Sequence, residues 1–505
     1  MRGGNNVRAA VSGILAVAAG VSVGELVALP ISPYASPYQA VAAFLVDFAP
    51  AFAREWAIDT FGTADKPALM VGVGASLLVL AVIAGVLQTR RPPWGVAVVV
   101  LFAGVGVIAA VTRPTMQPSY LLPPLVAGLV AAAVLVVMCR GARTTASDGQ
   151  WSRRQFLVAS GLVAAASAGT ALVARQISRA GDVLAERRGL TLPEPTTAAD
   201  PIPPGADLRV DGSTPFLTDN ADFYRIDTAL QVPRLSTQDW QLRIHGMVDE
   251  ELTLRWDDLI AMDSIEQVIT LTCVSNEVGG DLAGNARWIG VPMRAILDRV
   301  GVRDDADMLL STSVDGWTSG TPLSAVTDGR DAILAFGMNG EALPLEHGYP
   351  VRQVIPGLYG YVSACKWVVD WEITRFDRAQ AYWTERGWGV RAPIKTASRI
   401  DRPAPLSVQP AGKVVVAGTA WAQHRGISAV EVRVDDGPWQ PARLADQYSI
   451  DTWRLWSFDW DATPGQHTLY CRATDGAGRV QPEQRVAPIP DGATGWHSRV
   501  LRVDG

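Results

Sequence analysis

The stretch LTCVSNEVGG, residues 271–280, sets a cysteine at the end of an apolar run and opens a polar, glycine-containing loop behind it. Residues 268–272 read as a strand, so Cys273 stands at its lip, where a ligand can reach the sulfur. A thiolate in that position can hold a soft metal. A lone cysteine is equally a small buried hydrophobe, so its neighbours must decide. The four cysteines, at 139, 273, 365 and 471, are widely spaced and form no C-x-x-C. Thiolate zinc, iron–sulfur clusters and covalently attached haem are therefore not expected. All five histidines (245, 347, 424, 467 and 497) lie beyond residue 240. Bis-histidine haem in the N-terminal third is excluded on the same ground.

The elements that must carry this cysteine divide sharply by composition. A chain of 505 residues implies roughly three domains at about 100–200 residues each. A net charge of −6 gives no support for nucleic-acid binding. Long apolar runs at 7–29, 67–88, 95–112, 121–139 and 155–177 are each near the roughly 20 residues that cross a bilayer. The segment 40–58, with Asp47, Pro50, Arg54 and Glu55, reads as interfacial. Arg2, Arg8, Arg90, Arg91, Arg140, Arg143, Arg153 and Arg154 fall on one side of the five runs. The positive-inside rule then puts the N-terminus in the cytoplasm and everything after residue 180 outside a plasma membrane. Glu25 is the one acid deep in a run, readable as a partner or proton site or as an interfacial residue. WSRRQFLVASG at 151–161 looks like an internal twin-arginine export signal, a route that carries folded, cofactor-loaded domains. The proline-rich stretch 191–207 reads as a semi-rigid linker.

Beyond it, QLRIHGMVDEELTL reads as two strands around a turn. VPMRAILDRVG reads as a short helix with Pro292 in its first turn, a buried face of Met293, Ile296, Leu297 and Val300, and a stop at Gly301. Past residue 400, alternating strands with a turn at Asp436 and Gly437 predict a β-sandwich of about 100 residues.

In this half TDNADFYRID, TLTCVSNE and MNGEALPLEHGYPVRQVIPGLYGYVSACKW occur in order, followed by the sandwich. Over about 215–505 the chain resembles the sulfite oxidase family of molybdenum enzymes. The resemblance implies the mixed α+β sulfite-oxidase, molybdopterin-binding fold at 215–398 and an immunoglobulin-like domain at 399–505. The anchor would occupy 1–180 as an all-α transmembrane bundle, and the linker 181–214. It implies a molybdenum–pyranopterin cofactor with Cys273 as the protein's metal ligand. Asn220, Phe223, Tyr224 and Arg225 would form one cofactor wall and His347 and Arg352 another, with Ser363 and Lys366 at the phosphate end. Thr312 would contact the pterin, while Tyr359 and Trp367 read as packing. Arg225 would also orient substrate.

Two departures bear on the substrate. Family members follow the ligand cysteine with C-A-G-N-R-R, one arginine helping to hold sulfite. Here the run is Cys273-Val274-Ser275-Asn276-Glu277-Val278. An acid near an anion would repel it. The active-site tyrosine of the family is also missing from TERGWG, where Arg386 stands. The reading is an anchored, extracytoplasmic oxidoreductase transferring an oxygen atom with two electrons, on sulfite or in reverse on an S-oxide. A non-enzymatic binding or assembly protein is the alternative. Electrons would pass to a separate partner, and a homodimer is what the last domain implies by resemblance.

Overall fold

The computed structural model describes residues 2–32, 35–50, 65–113, 116–142, 152–180 and 183–505, with residues 53, 56, 60 and 61. It forms two compact units, residues 1–182 with 229–231, and residues 183–228 with 232–505.

The first unit contains helices α1 (Arg2–Ala28), α2 (Pro37–Phe48), α3 (Asp65–Arg90), α4 (Trp94–Val111), α5 (Leu122–Ala142) and α6 (Arg153–Ala180). Among the described residues, five spans are long and apolar enough to cross a membrane: Asn6–Ala28, Lys66–Arg90, Trp94–Val111, Pro118–Arg140 and Arg154–Leu172. Their exposed faces carry residues such as Leu101, Leu129 and Leu162, which suits hydrocarbon rather than water. Helix α1 lies against α3, α5 and α6. Gly13 of α1 abuts the Ala81 carbonyl of α3, and Gly85 of α3 abuts the Ala9 carbonyl. A β-carbon at either glycine would collide with backbone, so glycine sets this crossing. Glu25 accepts the Ser36 hydroxyl at 2.7 Å and the Tyr38 amide at 3.4 Å, tying α1 to the start of α2. Arg54, Glu55 and Arg143 lie outside the described residues. The S-R-R-Q run also has a local role. The Gln155 amide donates to Ser152 Oγ at 3.2 Å and the Ser152 amide to Gln155 Oε1 at 2.7 Å, a reciprocal cap that starts α6.

The second unit opens with α7 (Val183–Gly189). The proline-rich stretch that follows does not hang as a spacer. The Thr197 amide donates to the Ser264 carbonyl at 3.2 Å and its carbonyl accepts the Glu266 amide at 2.8 Å. Ala206 is fully buried in the main core. An extended chain offers its own backbone groups to a neighbouring strand, which composition alone did not reveal.

One sheet has the order β2 (Leu252–Arg255), β1 (Gln241–Gly246), β10 (Val368–Thr374), β5 (Met308–Ser313) and β6 (Thr318–Pro322). Another has the order β3 (Ile265–Thr272), β4 (Ala283–Pro292), β7 (Ile333–Met338) and β8 (Glu341–Ala342), with β9 (Arg352–Val354) paired to β7. The predicted hairpin is β1 and β2, with Leu242 opposite Leu254. The predicted helix is α8 (Met293–Val300), which buries the expected four residues and stops at Gly301 with φ 65°. Pro292 belongs to the strand that feeds it. A further short helix, α9 (Gly360–Ser363), borders the site.

After residue 396 the described chain is all β. Strands β11 (Ala397–Arg402), β13 (Gly412–Trp421), β17 (Arg454–Ala462) and β16 (Arg443–Leu444) make one sheet. Strands β12 (Val408–Pro410), β19 (His497–Asp504), β18 (Gly465–Asp475), β14 (Ile427–Val434) and β15 (Gln440–Pro441) make the other. Val416, Trp456, Val432 and Leu469, from both sheets, share one apolar core, which makes this region a sandwich.

Candidate functional site

Strand β3 carries Cys273 at its end and lies at the edge of its sheet. An open strand edge is a liability, and the sandwich covers this one. The Thr270 amide donates to the Asp451 carbonyl at 3.0 Å. Gln423, fully buried, donates from Nε2 to the Thr270 carbonyl at 3.2 Å and to Thr272 Oγ1 at 2.8 Å. The Trp453 amide donates to Thr270 Oγ1 at 2.8 Å. Residues 151 to 183 positions downstream thus hold the strand that presents the thiol.

The loop at 273–282 is closed from within. The Cys273 amide donates to the Leu282 carbonyl at 2.9 Å, and the Leu282 amide to Asn276 Oδ1 at 2.9 Å. Cys273, Val274 and Ser275 face a cavity of about 130 Å³. The next residues turn away: Asn276, Glu277, Val278 and Gly279 line a separate small cavity against the sandwich. Arg399 donates to the Gly280 carbonyl at 2.7 Å. Gly279 has φ 82° and packs on His497 where a β-carbon would collide. Glu277 is exposed. Contrary to the expectation for this loop, Glu277 and Val278 do not border the Cys273 cavity.

Phe223 and Tyr224 stack at 5.2 Å between ring centroids, and Phe223 meets the His347 ring edge-on at 5.4 Å. His347 Nε2 lies 3.1 Å from the Asn220 carbonyl. A carbonyl only accepts, so Nε2 carries the proton and Nδ1 of the neutral ring is left as an acceptor. Burial, reinforced by the charges of Arg352 and Lys366, pushes His347 down to about 4. The Arg352 guanidinium is buried and donates to the carbonyls of His347 (3.0 Å), Gln353 (3.3 Å) and Ala364 (3.5 Å). It stands 5.1 Å from the centre of the Trp288 ring. Burial pushes it down to about 10. Lys366 pairs with Asp227 at 2.9 Å, and burial pushes it down to about 8 against the pull of that carboxylate. Burial also raises the Cys273 thiol, opposed by hydrogen bonds from the Ser275 amide and hydroxyl and by the Lys366 charge.

Of the residues expected from sequence, Phe223, Tyr224, Cys273, His347, Arg352 and Lys366 share this cavity. Four do not line it. Arg225 pairs with Asp227 at 2.8 Å, one residue behind Lys366. Asn220 acts through its carbonyl, while its amide donates to Glu341 at 2.6 Å. Ser363 is buried and spends its hydroxyl on the carbonyls of Leu358 and Tyr359, inside its own turn. Thr312 faces away and its neighbour Ser313 faces in, because side chains alternate along β5. Among the described residues, buried Ser313 Oγ has no hydrogen-bond partner. Trp367, read as packing, lines the cavity; Tyr359 packs in the core. Sequence reasoning also missed Asp315, Trp317, Tyr361, Trp383 and Trp388. The two tryptophans flanking the E-R-G run were the available signal for the last pair.

A thiol at a strand end, a neutral imidazole and a guanidinium that among the described residues has only neutral partners share one cavity, an arrangement that can receive an anionic group beside a soft metal ligand. A family model for the oxidoreductase molybdopterin binding domain matches residues 229–383. The mitochondrial sulfite oxidase of Mus musculus is 29% identical over 362 residues, covering 58% of this chain and 64% of that protein. YuiH of Bacillus subtilis, described as an uncharacterized oxidoreductase, is 32% identical over 152 residues, covering 30% of this chain and 73% of that protein. The sulfane dehydrogenase SoxCD of Paracoccus pantotrophus superimposes with a TM-score of 0.51 at 24% identity, over 58% of this chain and 84% of that one. That likeness is one of fold. The chain spans less than two thirds of the length of the mouse, rat and human sulfite oxidases it matches. The chain belongs to the sulfite oxidase family of molybdopterin-dependent oxidoreductases.

Proposed function

We propose that this chain is a membrane-anchored, extracytoplasmic molybdenum-cofactor oxidoreductase that transfers an oxygen atom in a two-electron reaction of the sulfite-oxidase type. The observation that carries the reading is Arg352. Among the described residues it is a buried cation bonded only to carbonyls, on the same cavity as the Cys273 thiol. Such a cation is costly unless an anion from outside completes it, and the pterin phosphate is one. Cys273 would ligate the metal. Arg352 and Lys366 would hold the anionic end, and His347 Nδ1 and Ser313 Oγ would meet polar edges of the pterin. The bound group supplies the two-electron redox chemistry and the oxo transfer. Arg225 then works through Asp227, fixing Lys366, rather than on substrate.

The arginine pattern of the first unit supports five crossings with the N-terminus inside, and hence an extracytoplasmic second unit. The S-R-R-x-F-L run supports export of a folded, cofactor-loaded domain. The boundaries near 215–398 and 399–505, an immunoglobulin-like topology for the sandwich, a homodimer and a separate redox partner belong to the same reading. A second direction of reaction, reduction of an S-oxide of the methionine sulfoxide type, is favoured by a specific observation. The cavity's guanidinium is Arg352, and no arginine joins Cys273 from its own loop.

Protein made in a cofactor-competent host should hold about one molybdenum per chain. It should turn over sulfite with an electron-accepting dye, or methionine sulfoxide with a reduced dye. Protein without molybdenum would end the reading, and the dye panel decides the direction.

A further inference from the structure

Helix α7 begins at Val183, three residues beyond the end of α6 in the chain. It falls within the stretch 181–214 expected to be a linker, yet it belongs to the second unit. Val183 is buried in the apolar cluster that also holds Phe223, Trp288 and Tyr349. Two adjacent charged residues of α7 reach the chain around His347. Arg187 donates from Nε to the Leu343 carbonyl and from Nη2 to the Ala342 carbonyl, each at 2.7 Å, and pairs with Glu341 at 3.1 Å. Glu186 Oε1 accepts the Tyr349 hydroxyl at 2.8 Å, the Thr237 amide at 2.7 Å and the Thr237 hydroxyl at 2.8 Å. Arg187 thus holds the residues that lead into the turn Leu345–His347, and Glu186 holds the tyrosine that leaves it.

The same turn seats side chains of the cavity. Its successive carbonyls, those of Leu345, Glu346 and His347, accept Trp367 Nε1 at 3.0 Å, Lys366 Nζ at 3.1 Å and Arg352 Nη1 at 3.0 Å. His347, Arg352, Lys366 and Trp367 all line the Cys273 cavity. The turn is therefore gripped at its crest from the cavity side and at both stems by α7. A second route runs through Glu341, which also accepts the Asn220 side-chain amide at 2.6 Å, while the Asn220 carbonyl meets His347 Nε2 at 3.1 Å. Groups that meet a cofactor act only when their own positions are held, to within about 0.5 Å. A guanidinium forked onto two neighbouring carbonyls supplies that kind of restraint.

We propose that Glu186 and Arg187 are positioning residues for the molybdenum cofactor, holding from behind the turn that carries His347 and seats Arg352 and Lys366. The inference rests on the reading that the Cys273 cavity is the molybdenum site. It makes α7 part of the working domain, which then starts at Val183 rather than near residue 215. The three donors on Glu186 converge on one oxygen, so a glutamine can take its place and an alanine cannot.

The test uses the full chain, purified in detergent from a cofactor-competent host. Molybdenum retained per chain is followed during dialysis, and amide hydrogen exchange is read peptide by peptide on the same samples. Arg187→Met should speed molybdenum loss roughly 10- to 100-fold. It should also speed exchange at 343–349 while leaving β1 and β10 as protected as in the unaltered chain. Glu186→Ala should act in the same direction, and Glu186→Gln should retain molybdenum as the unaltered chain does. Coupling between two sites is reciprocal. In the unaltered chain, cofactor-loaded protein should therefore exchange more slowly than cofactor-free protein in α7 as well as at 343–349, and this comparison needs no variant. Molybdenum held by Arg187→Met and Glu186→Ala as firmly as by the unaltered chain overturns the proposal. So does molybdenum loss accompanied by faster exchange across β1 and β10, which marks a role in the fold alone. Protection by the cofactor that stops short of α7 overturns it too. Any of these results in protein whose unaltered form carries molybdenum sinks this inference alone, whereas an unaltered chain without molybdenum sinks the reading beneath it.

Discussion

On one face of the 273–282 loop, Cys273, Val274 and Ser275 border the cavity that holds Arg352 and Lys366. On the other, residues 276–280 lie against the C-terminal sandwich, with Arg399 on the Gly280 carbonyl and His497 under Gly279. The two faces are adjacent in sequence and differ in what constrains them. The front presents a thiol, an apolar side chain and a hydroxyl to the cavity, and under the proposed function its residue types are set by chemistry. The back is set by fit: an asparagine that satisfies Leu282, a glycine with positive φ, and an exposed acid. Departures from a family motif therefore mean different things at positions only a few residues apart. The replacement of arginines by Glu277 and Val278 removes cations, but it does not put a negative charge on the Cys273 cavity.

Substitutions on the two faces should separate accordingly. Cys273→Ala should lower dye-coupled turnover by at least roughly 10³-fold, more than the 10- to 100-fold typical of a group that only supports a ligand. Full activity with full molybdenum content would break the assignment of the front face. Arg352→Met should lower molybdenum content yet leave the cofactor-free fold unchanged or more stable, by up to about 4 kcal/mol, because a buried unpaired cation is replaced by an apolar side chain. Metal analysis and denaturant melts of the same preparation read both effects, and a strongly destabilised apoprotein would show that Arg352 serves packing instead.

Acid stability samples both faces at once. His347 at the cavity and His497 behind the loop are each pushed down to about 4, mainly by burial. His497 Nδ1 accepts the Ile400 amide at 2.9 Å, so protonation there breaks a bond. Between an ordinary value near 6.5 and about 4, the unfolded chain binds protons that the folded chain does not. Stability should therefore fall as pH drops through 6.5 and level off below about 4. His497→Asn should flatten this dependence in pH-resolved denaturation, and an unchanged slope would count against the buried neutral ring. The smallest effect belongs to Glu277→Gln. It should change stability by no more than about 0.5 kcal/mol and leave turnover within roughly twofold; a large gain with sulfite would mean that the back face reaches the substrate after all.

Much of this was legible in the sequence. The five apolar spans, the hairpin at 241–255 and helix α8 follow from hydrophobic period and terminal residues, which are local signals. Cys273, His347, Arg352 and Lys366 were legible because they sit within two motifs, the second of them a long one from Met338 to Trp367. Less legible was anything that depended on which way a side chain turns. Thr312 and Ser313 exchange places with the register of β5. Arg225 was readable as a cation but not as the partner of Asp227. The stretch 191–207 has a linker's composition and packs as part of the fold, because its backbone finds partners at residues 264 and 266.

The sequence by itself determined that this chain carries a membrane-compatible helical region, a strand-borne thiol and the set of residues, His347, Arg352 and Lys366 among them, that meets it on one cavity. Each of these depends on residues close together along the chain. Only the tertiary structure decided that Gln423 and Asp451 cover the edge of β3, that Glu277 faces away from the thiol, and that Tyr361, Trp383 and Trp388 line up on one cavity. Those outcomes depend on burial and pairing between distant segments, and the free energy of such contacts is not encoded in any single stretch.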